Sequence, residues 1–295
     1  MAAGWVVGCA QEAPKSEPAP KVLEGAPYQL KDTQVWTVPD PKSGRTYQVF
    51  VSLPPSYAAS PQRTYPTLYV TDADYAFPLI RSVTRRINSN GPVTDEFILV
   101  GLSYAANDDP VASRGRDYTP TPRGPSSAAP TVTHGGGAAY QVYLRDQVLP
   151  FIERKFRADP SRRVFAGHSY GGLLGAQILF SEPELFQSYI LGSPSLWFDR
   201  RHMLAAEVRY AGAHRDLPAK VFTYIGAYEA ARPGDGRYHQ DTDMVRDLAT
   251  FETQLKSRNY PGFSMTSTVL EDENHLTVFP AGLTRGLMAI LPPGG

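Results

Sequence analysis

A serine flanked by glycines at the junction of a strand and a helix is the pattern in this chain that most directly specifies chemistry. Arg163-Val-Phe-Ala-Gly167-His-Ser169-Tyr-Gly171-Gly172 runs from a short apolar strand through Gly-X-Ser-X-Gly into the helical stretch Leu173–Phe180. A serine hydroxyl is a weak nucleophile. It becomes competent when a sharp strand-to-helix turn holds it exposed, near a helix N-terminus and within reach of a base. Such a turn forces unusual backbone angles and close backbone approach, which calls for small residues at Gly167 and Gly171. The pentapeptide alone arises by chance as a glycine-rich turn with an incidental serine. The strand–turn–helix context is what makes it specific.

A nucleophile of this kind needs a base, an acid to orient the base, and donors for the developing oxyanion, and on a strand–helix elbow the order is Ser, acid, His. Of the six histidines, His202, His214, His239 and His275 follow Ser169. His275 lies just past the last expected strand and before the last expected helix, where the base belongs. His202 and His214 flank a polar helix and read as surface residues, and His239 is a loop residue with a weaker claim. Glu229 directly follows the penultimate strand and is the candidate acid; Asp235, Asp241 and Asp243 are alternatives further along. The oxyanion donors are expected to be the backbone N–H groups of Tyr170 and of Asp74. A metal site at Asp72 and Asp74 is the competing reading, without a partnering His or Glu cluster to support it. His168, inside the elbow, is expected to pack or hydrogen-bond there, beside the substrate.

The elements that must position these residues are legible in the surrounding pattern. Gln34–Val38 and Thr46–Leu53 alternate and are rich in β-branched and aromatic residues, with a Pro-Lys-Ser-Gly turn between them, and predict a hairpin. Thr67–Thr71 and Phe97–Ser103 are short apolar runs typical of buried parallel strands, with a helix over Pro78–Asn88 between them. The stretch 105–137, loaded with Pro, Gly, Ser and Arg, is expected to be irregular. Ala138–Phe156 is an amphipathic helix perturbed near Pro150. Strands at Arg163–Gly167, Ser188–Gly192, Lys220–Gly226 and Phe263–Glu271 then alternate with helices at Gly171–Phe180, Arg201–Ala211, Met244–Ser257 and Val278–Leu291. This order predicts an α/β fold: a mostly parallel, doubly wound sheet with an antiparallel N-terminal hairpin.

Composition narrows the class. The chain has 295 residues, 42% of them hydrophobic, which suits one folded domain over 31–295. Its 29 basic and 29 acidic residues cancel, which argues against a nucleic-acid partner. There is one cysteine, Cys9, so neither an intrachain disulfide nor a Cys-based zinc site is possible. Val6-Val7-Gly8-Cys9-Ala10 resembles a bacterial lipobox, and the Pro-, Ala-, Glu- and Lys-rich segment after it reads as a tether. Residues 1–30 are therefore expected to be disordered, with membrane attachment through lipidated Cys9 and a place in the bacterial cell envelope. Met1–Val7 is short for a signal and lacks a basic start; if the lipobox is fortuitous, the protein is cytoplasmic.

From about Gly44 to Leu291 the chain resembles the bacterial putative-esterase branch of the α/β hydrolases. This branch includes siderophore trilactone esterases and, more distantly, esterase D and the antigen 85 mycolyltransferases. The stretches that carry the resemblance are Ser52-Leu-Pro-Pro-Ser-Tyr57, Tyr65-Pro-Thr-Leu-Tyr-Val-Thr-Asp72, Arg116-Asp-Tyr-Thr-Pro120, Gly167-His-Ser-Tyr-Gly-Gly172, Gly192-Ser-Pro-Ser-Leu-Trp197 and Asn274-His275. The resemblance implies a cofactor-independent serine esterase with Ser169 and His275 catalytic and a small-molecule ester as substrate. It implies that the Asp72–Tyr75 loop lines the oxyanion hole, and it supports Glu229, although some relatives work with a Ser–His pair alone. Ala73 departs from the glycine usual after that aspartate. Basic residues such as Arg114 and Arg116 would suit a ferric catecholate; an Arg–Asp clasp on the loop is the alternative. Tyr75 and Trp197 are expected to wall the substrate pocket, or Trp197 to be buried structure. An acyltransferase shares the chemistry up to the acyl-enzyme, and a non-catalytic binding lipoprotein would share the fold.

Overall fold

The computed structural model describes residues 1, 25, 27–129 and 131–294. The lipobox and tether lie outside the described residues. The sheet and its helices belong to one compact unit, Asp32–Gly295.

Alternating β-branched and aromatic residues form an antiparallel hairpin, β1 (Thr33–Pro39) and β2 (Thr46–Ser52), at one edge of an eight-stranded sheet. The sheet continues with β3 (Tyr65–Val70), β4 (Ile98–Ala105), β5 (Ala158–His168), β6 (Ser188–Gly192), β7 (Lys220–Gly226) and β8 (Ser264–Leu270), in spatial order β1-β2-β4-β3-β5-β6-β7-β8. β2 pairs antiparallel with β4, and from β4 onward every pairing is parallel. The helices between them are α1 (Ala73–Ile87), α2 (Pro110–Asp117), α3 (Gly137–Tyr143), α4 (Leu149–Lys155), α5 (Tyr170–Ser181), α6 (Phe198–Ala213), α7 (Met244–Ser257) and α8 (Val278–Ile290).

The strands are apolar on both faces, and their period of two divides the core. Leu68, Val70, Val164, Ala166, Ile190, Phe222 and Tyr224 pack with Ala76, Ile80 and Leu283 of α1 and α8. Tyr69, Phe165, Tyr189, Leu191 and Val221 pack on the other face with residues of α3 to α7. Among the described residues no helix is long and apolar enough to cross a membrane.

Four elements depart locally from the sequence pattern. The region expected to be irregular contains α2, started by Asp109, whose carboxylate accepts from the N–H groups of Val111 and Ala112, with Pro110 at the first helical position. Helix α1 begins at Ala73 rather than Pro78, carrying the proline in its interior. The perturbation expected near Pro150 is a π-helical turn, Leu144–Val148, joining α3 to α4. In α6, three left-handed residues, Asp199 to Arg201 (φ 41°, 57° and 63°), precede the regular helix, which therefore begins one residue after its expected start at Arg201.

The tightest point is the crossing of β5 into α5. A Cβ on Gly167 would stand 2.3 Å from the backbone carbon and oxygen of Gly171, and one on Gly171 would stand 2.2 Å from Thr71 Oγ1. Backbone cannot yield as a flexible side chain can. Gly167→Ala is expected to cost about 2 kcal/mol or more, read as a lower urea midpoint. Gly212→Ala, a helical position with open space around it, should instead stabilise by roughly 0.5–1 kcal/mol.

Candidate active site

Right-handed βαβ winding brings the loops after β3, β5, β6, β7 and β8 to the carboxyl edge of the sheet, where open α/β folds bind ligands. Four of these loops open with a non-glycine residue in the left-handed region: Asp72 after β3 (φ 56°), Ser169 after β5 (φ 60°), Ser193 after β6 (φ 37°) and Asp272 after β8 (φ 60°). Such residues are uncommon and are held in place by their surroundings.

Ser169 sits at the elbow with φ 60° and ψ −117°, half-buried, at the N-terminus of α5. Its N–H donates to the Gly192 carbonyl at 2.9 Å, and its carbonyl accepts from the N–H of Leu173 (3.0 Å) and of Ser195 (3.2 Å). Among the described residues, its hydroxyl hydrogen-bonds to Ser195 Oγ at 3.4 Å rather than to His275.

His275 and Glu229 form the strongest contact of the group, with Nδ1 of the imidazole 2.6 Å from Oε2 of the carboxylate. Glu229 closes a short 3₁₀ turn, Ala227–Glu229, directly after β7 and is fully buried. Its other oxygen accepts from the Ser193 hydroxyl at 2.6 Å and the Gly226 N–H at 2.9 Å. Burial pushes the carboxyl up, but His275 and these donors outweigh it and hold it below its usual range. Facing Glu229, Nδ1 carries the proton, which leaves Nε2 free to accept one. His275 lies in a turn built by Asn274, whose side-chain oxygen accepts from the N–H groups of Leu276 and Thr277.

His239 comes near this pair, its ring centroid 6.3 Å from that of His275, but it is His275 that bonds Glu229. His214 stacks on Tyr210 and His202 borders the groove between α5 and α6.

Asp74 and Tyr170 occupy first turns of α1 and α5, where the leading N–H groups have no intrahelical acceptor. The loop carrying Asp74 is fixed by the buried Asp72, whose carboxylate accepts from Tyr104 Oη (2.7 Å) and from Arg114 Nε (2.8 Å). The same guanidinium donates to the His168 carbonyl at 3.1 Å, so Arg114 ties the Asp72 loop to the elbow.

Arg116, expected at the substrate, is instead committed to the clasp. It bonds both oxygens of Asp117 at 2.8 Å and Asp108 at 2.6 Å, and Asp117 also accepts from Tyr47. His168, also expected to face substrate, is 5% exposed, because its ring is enclosed by His275, Tyr224 and Phe279. Tyr75 is 44% exposed, its ring edge-on to Phe279. Trp197 is half-buried near Tyr170 and Phe198.

Ser193 and Ser195 join the site without having been singled out by the sequence pattern. The available signal was the position of Gly192-Ser-Pro-Ser195: it ends the strand that neighbours the elbow strand, so the loop passes beside the elbow, where Ser195 bonds Ser169 and Ser193 bonds Glu229.

Residues 41–253 match the family model described as "Putative esterase", a span that includes Ser169 and Glu229 and stops short of His275. The chain is 26% identical over 278 residues to the ferri-bacillibactin esterase BesA of Bacillus subtilis, covering 91% of this chain and 92% of that one. An IroE-like serine hydrolase from Shewanella oneidensis superposes with a TM-score of 0.73 at 26% identity, over 87% of this chain and 79% of the other. The BES protein of Bacillus cereus shares the fold, with a TM-score of 0.75 at 24% identity over 91% and 99% of the two chains. The protein therefore belongs to the putative-esterase family, a carboxylic-ester hydrolase of α/β-hydrolase fold.

Proposed function

We propose that the enzyme hydrolyses its ester through Ser169, His275 and Glu229 by way of an acyl-enzyme. The reading rests on one observation above the others: the 2.6 Å contact between Glu229 and His275 on loops that converge beside the elbow serine. Ser169 Oγ leaves Ser195, passes its proton to Nε2 of His275 and bonds to the ester carbonyl carbon. The N–H groups of Tyr170 and Asp74 receive the negative oxygen. The imidazolium, stabilised by Glu229, protonates the departing alcohol. Water then repeats the sequence on the acyl-enzyme, releasing the acid and restoring Ser169.

The substrate class we propose is a siderophore lactone or a similar small ester. Its support is the relatives named for ferri-bacillibactin and enterobactin. With Arg116 taken up by the clasp, the exposed Arg232 is the cation we assign to an anionic substrate. It lies on the loop that brings His239 beside the base; its backbone N–H donates to the His239 carbonyl, and its guanidinium donates to Tyr238 Oη at 2.9 Å over the ring of the same tyrosine.

Ser169→Ala should lower kcat by several orders of magnitude with the fold intact. In the wild type, a fluorophosphonate should label the peptide containing Ser169. Labelling elsewhere, or wild-type turnover by the variant, would overturn the assignment. Hydrolysis of a ferric catecholate trilactone beside a neutral p-nitrophenyl ester tests the substrate class, with the trilactone expected to show the higher kcat/KM.

Glu229 also gives a stability signature. Its folded-state pKa lies below the usual 4.5, so between the two values the unfolded chain binds the extra proton and stability rises with pH. That contribution is complete above about pH 4.5 and is lost as pH falls through the folded value. Urea midpoints for Glu229→Gln should therefore fall less steeply below pH 4.5 than those of the wild type; parallel curves would refute the linkage.

A further inference from the structure

His168 stands next to the nucleophile in the chain, yet it takes no part in the proton path from Ser169 to His275. Its surroundings are specific. Nε2 lies 2.7 Å from the carbonyl oxygen of His275. A carbonyl only accepts, so Nε2 carries the proton and Nδ1 is the bare nitrogen. Nδ1 is buried and has no hydrogen-bond partner among the described residues. Leaving a buried acceptor unpaired is destabilising, so a residue chosen for stability alone would place an apolar ring here.

The ring is held on three sides. The His275 ring is 4.7 Å away centroid to centroid, Phe279 is edge-on at 5.5 Å and Tyr224 is nearly parallel at 6.0 Å. Burial, and then the neighbouring His275, push the His168 pKa down to about 3. The imidazole is therefore neutral at any working pH, and its Nε2–H remains a donor. The main-chain carbonyl of the same residue accepts from Arg114, which also holds Asp72. One residue thus touches the base loop through its side chain, is linked to the oxyanion loop through Arg114, and is bonded covalently to Ser169.

We propose that His168 is a positioning residue that fixes the distance and orientation of His275 relative to Ser169, acting through the His275 carbonyl. The inference rests on His275 being the base. The path from Ser169 Cα to His275 Cα runs through one peptide bond, one imidazole and one hydrogen bond. Without it, His275 would be located by its own turn, by Glu229 and by the bond from the Tyr228 N–H to the Glu273 carbonyl. Misplacement of a reacting group by about 1 Å costs roughly 10²-fold in rate.

The test is a double-mutant cycle read with a short p-nitrophenyl ester. His168→Phe keeps an apolar ring and removes the donor; His168→Gln keeps a side-chain N–H. His168→Phe should lower kcat about 10- to 100-fold with KM changed less than about threefold, while His168→Gln should recover most of the loss. Urea midpoints establish that each variant is folded. In a His275→Ala background the His168→Phe effect should vanish, because the residue acts only through the base. Three outcomes would overturn the proposal: a folded His168→Phe enzyme with wild-type kcat, no recovery in a folded His168→Gln, or an undiminished effect in the His275→Ala background. If His275→Ala alone keeps wild-type turnover, the assignment of His275 as base is what fails.

Discussion

The site depends on how closely two stretches of backbone can pass. At the end of β5 the chain must reverse from extended to helical within one residue, and it does so with Gly167 and Gly171 in contact and Ser169 in the left-handed region. The contact leaves no room for a side chain, and the resulting turn holds the serine at the head of a helix. Because Gly171 also abuts Thr71 and Asp72, the elbow and the loop after β3 have one relative position. Ser169 meets the loop after β6 in the same way, donating to Gly192 and accepting from Ser195. The neighbouring strands are located by the elbow as much as by their own hydrogen bonds.

Strain and satisfaction are matched at this edge. Asp72, Ser169 and Ser193 all adopt left-handed backbone, at an energetic cost of order 1–3 kcal/mol each. Each is secured by bonds that need that geometry. Asp72 is bonded by Arg114 and Tyr104, Ser169 is bonded through both its N–H and its carbonyl, and Ser193 donates to a fully buried carboxylate. A charge buried like that of Glu229 is tolerable only with several donors on it, and His275, Ser193 and Gly226 supply them. The orientation of the imidazole follows from the same set of bonds.

Strands and their order were legible because buried parallel strands are short apolar runs between turn residues. β6 and β7 have the bounds the pattern predicts, as does α7. The helix α2 was hidden because it is short and polar, with a glycine inside it, within a proline-rich stretch, and only the Asp109-Pro110 start marks it. At the site, residues attached to strand ends could be placed from chain order alone, which is how Ser169, Glu229 and His275 can be recognised as neighbours before any coordinates. Arg116 and His168 could not be placed so. Whether an arginine faces solvent or an aspartate, and whether an imidazole faces the substrate or the base loop, depends on side-chain direction around a turn. Ser193 and Ser195 were missed because a hydroxyl in a Ser-Pro-Ser loop has many uses, and its partner is 36 residues away for Ser193 and 26 for Ser195.

In the proposed mechanism the base is carried after β8, at the sheet's far edge, and the acid after β7 beside it. During synthesis the elbow and the first oxyanion loop can therefore form while the ribosome still holds the segment that ends in His275. Until β8 pairs along β7, the serine has no base in place. On that mechanism hydrolytic competence arrives last, with the closing of the sheet, and a chain interrupted after α7 would carry Ser169 in an inert form.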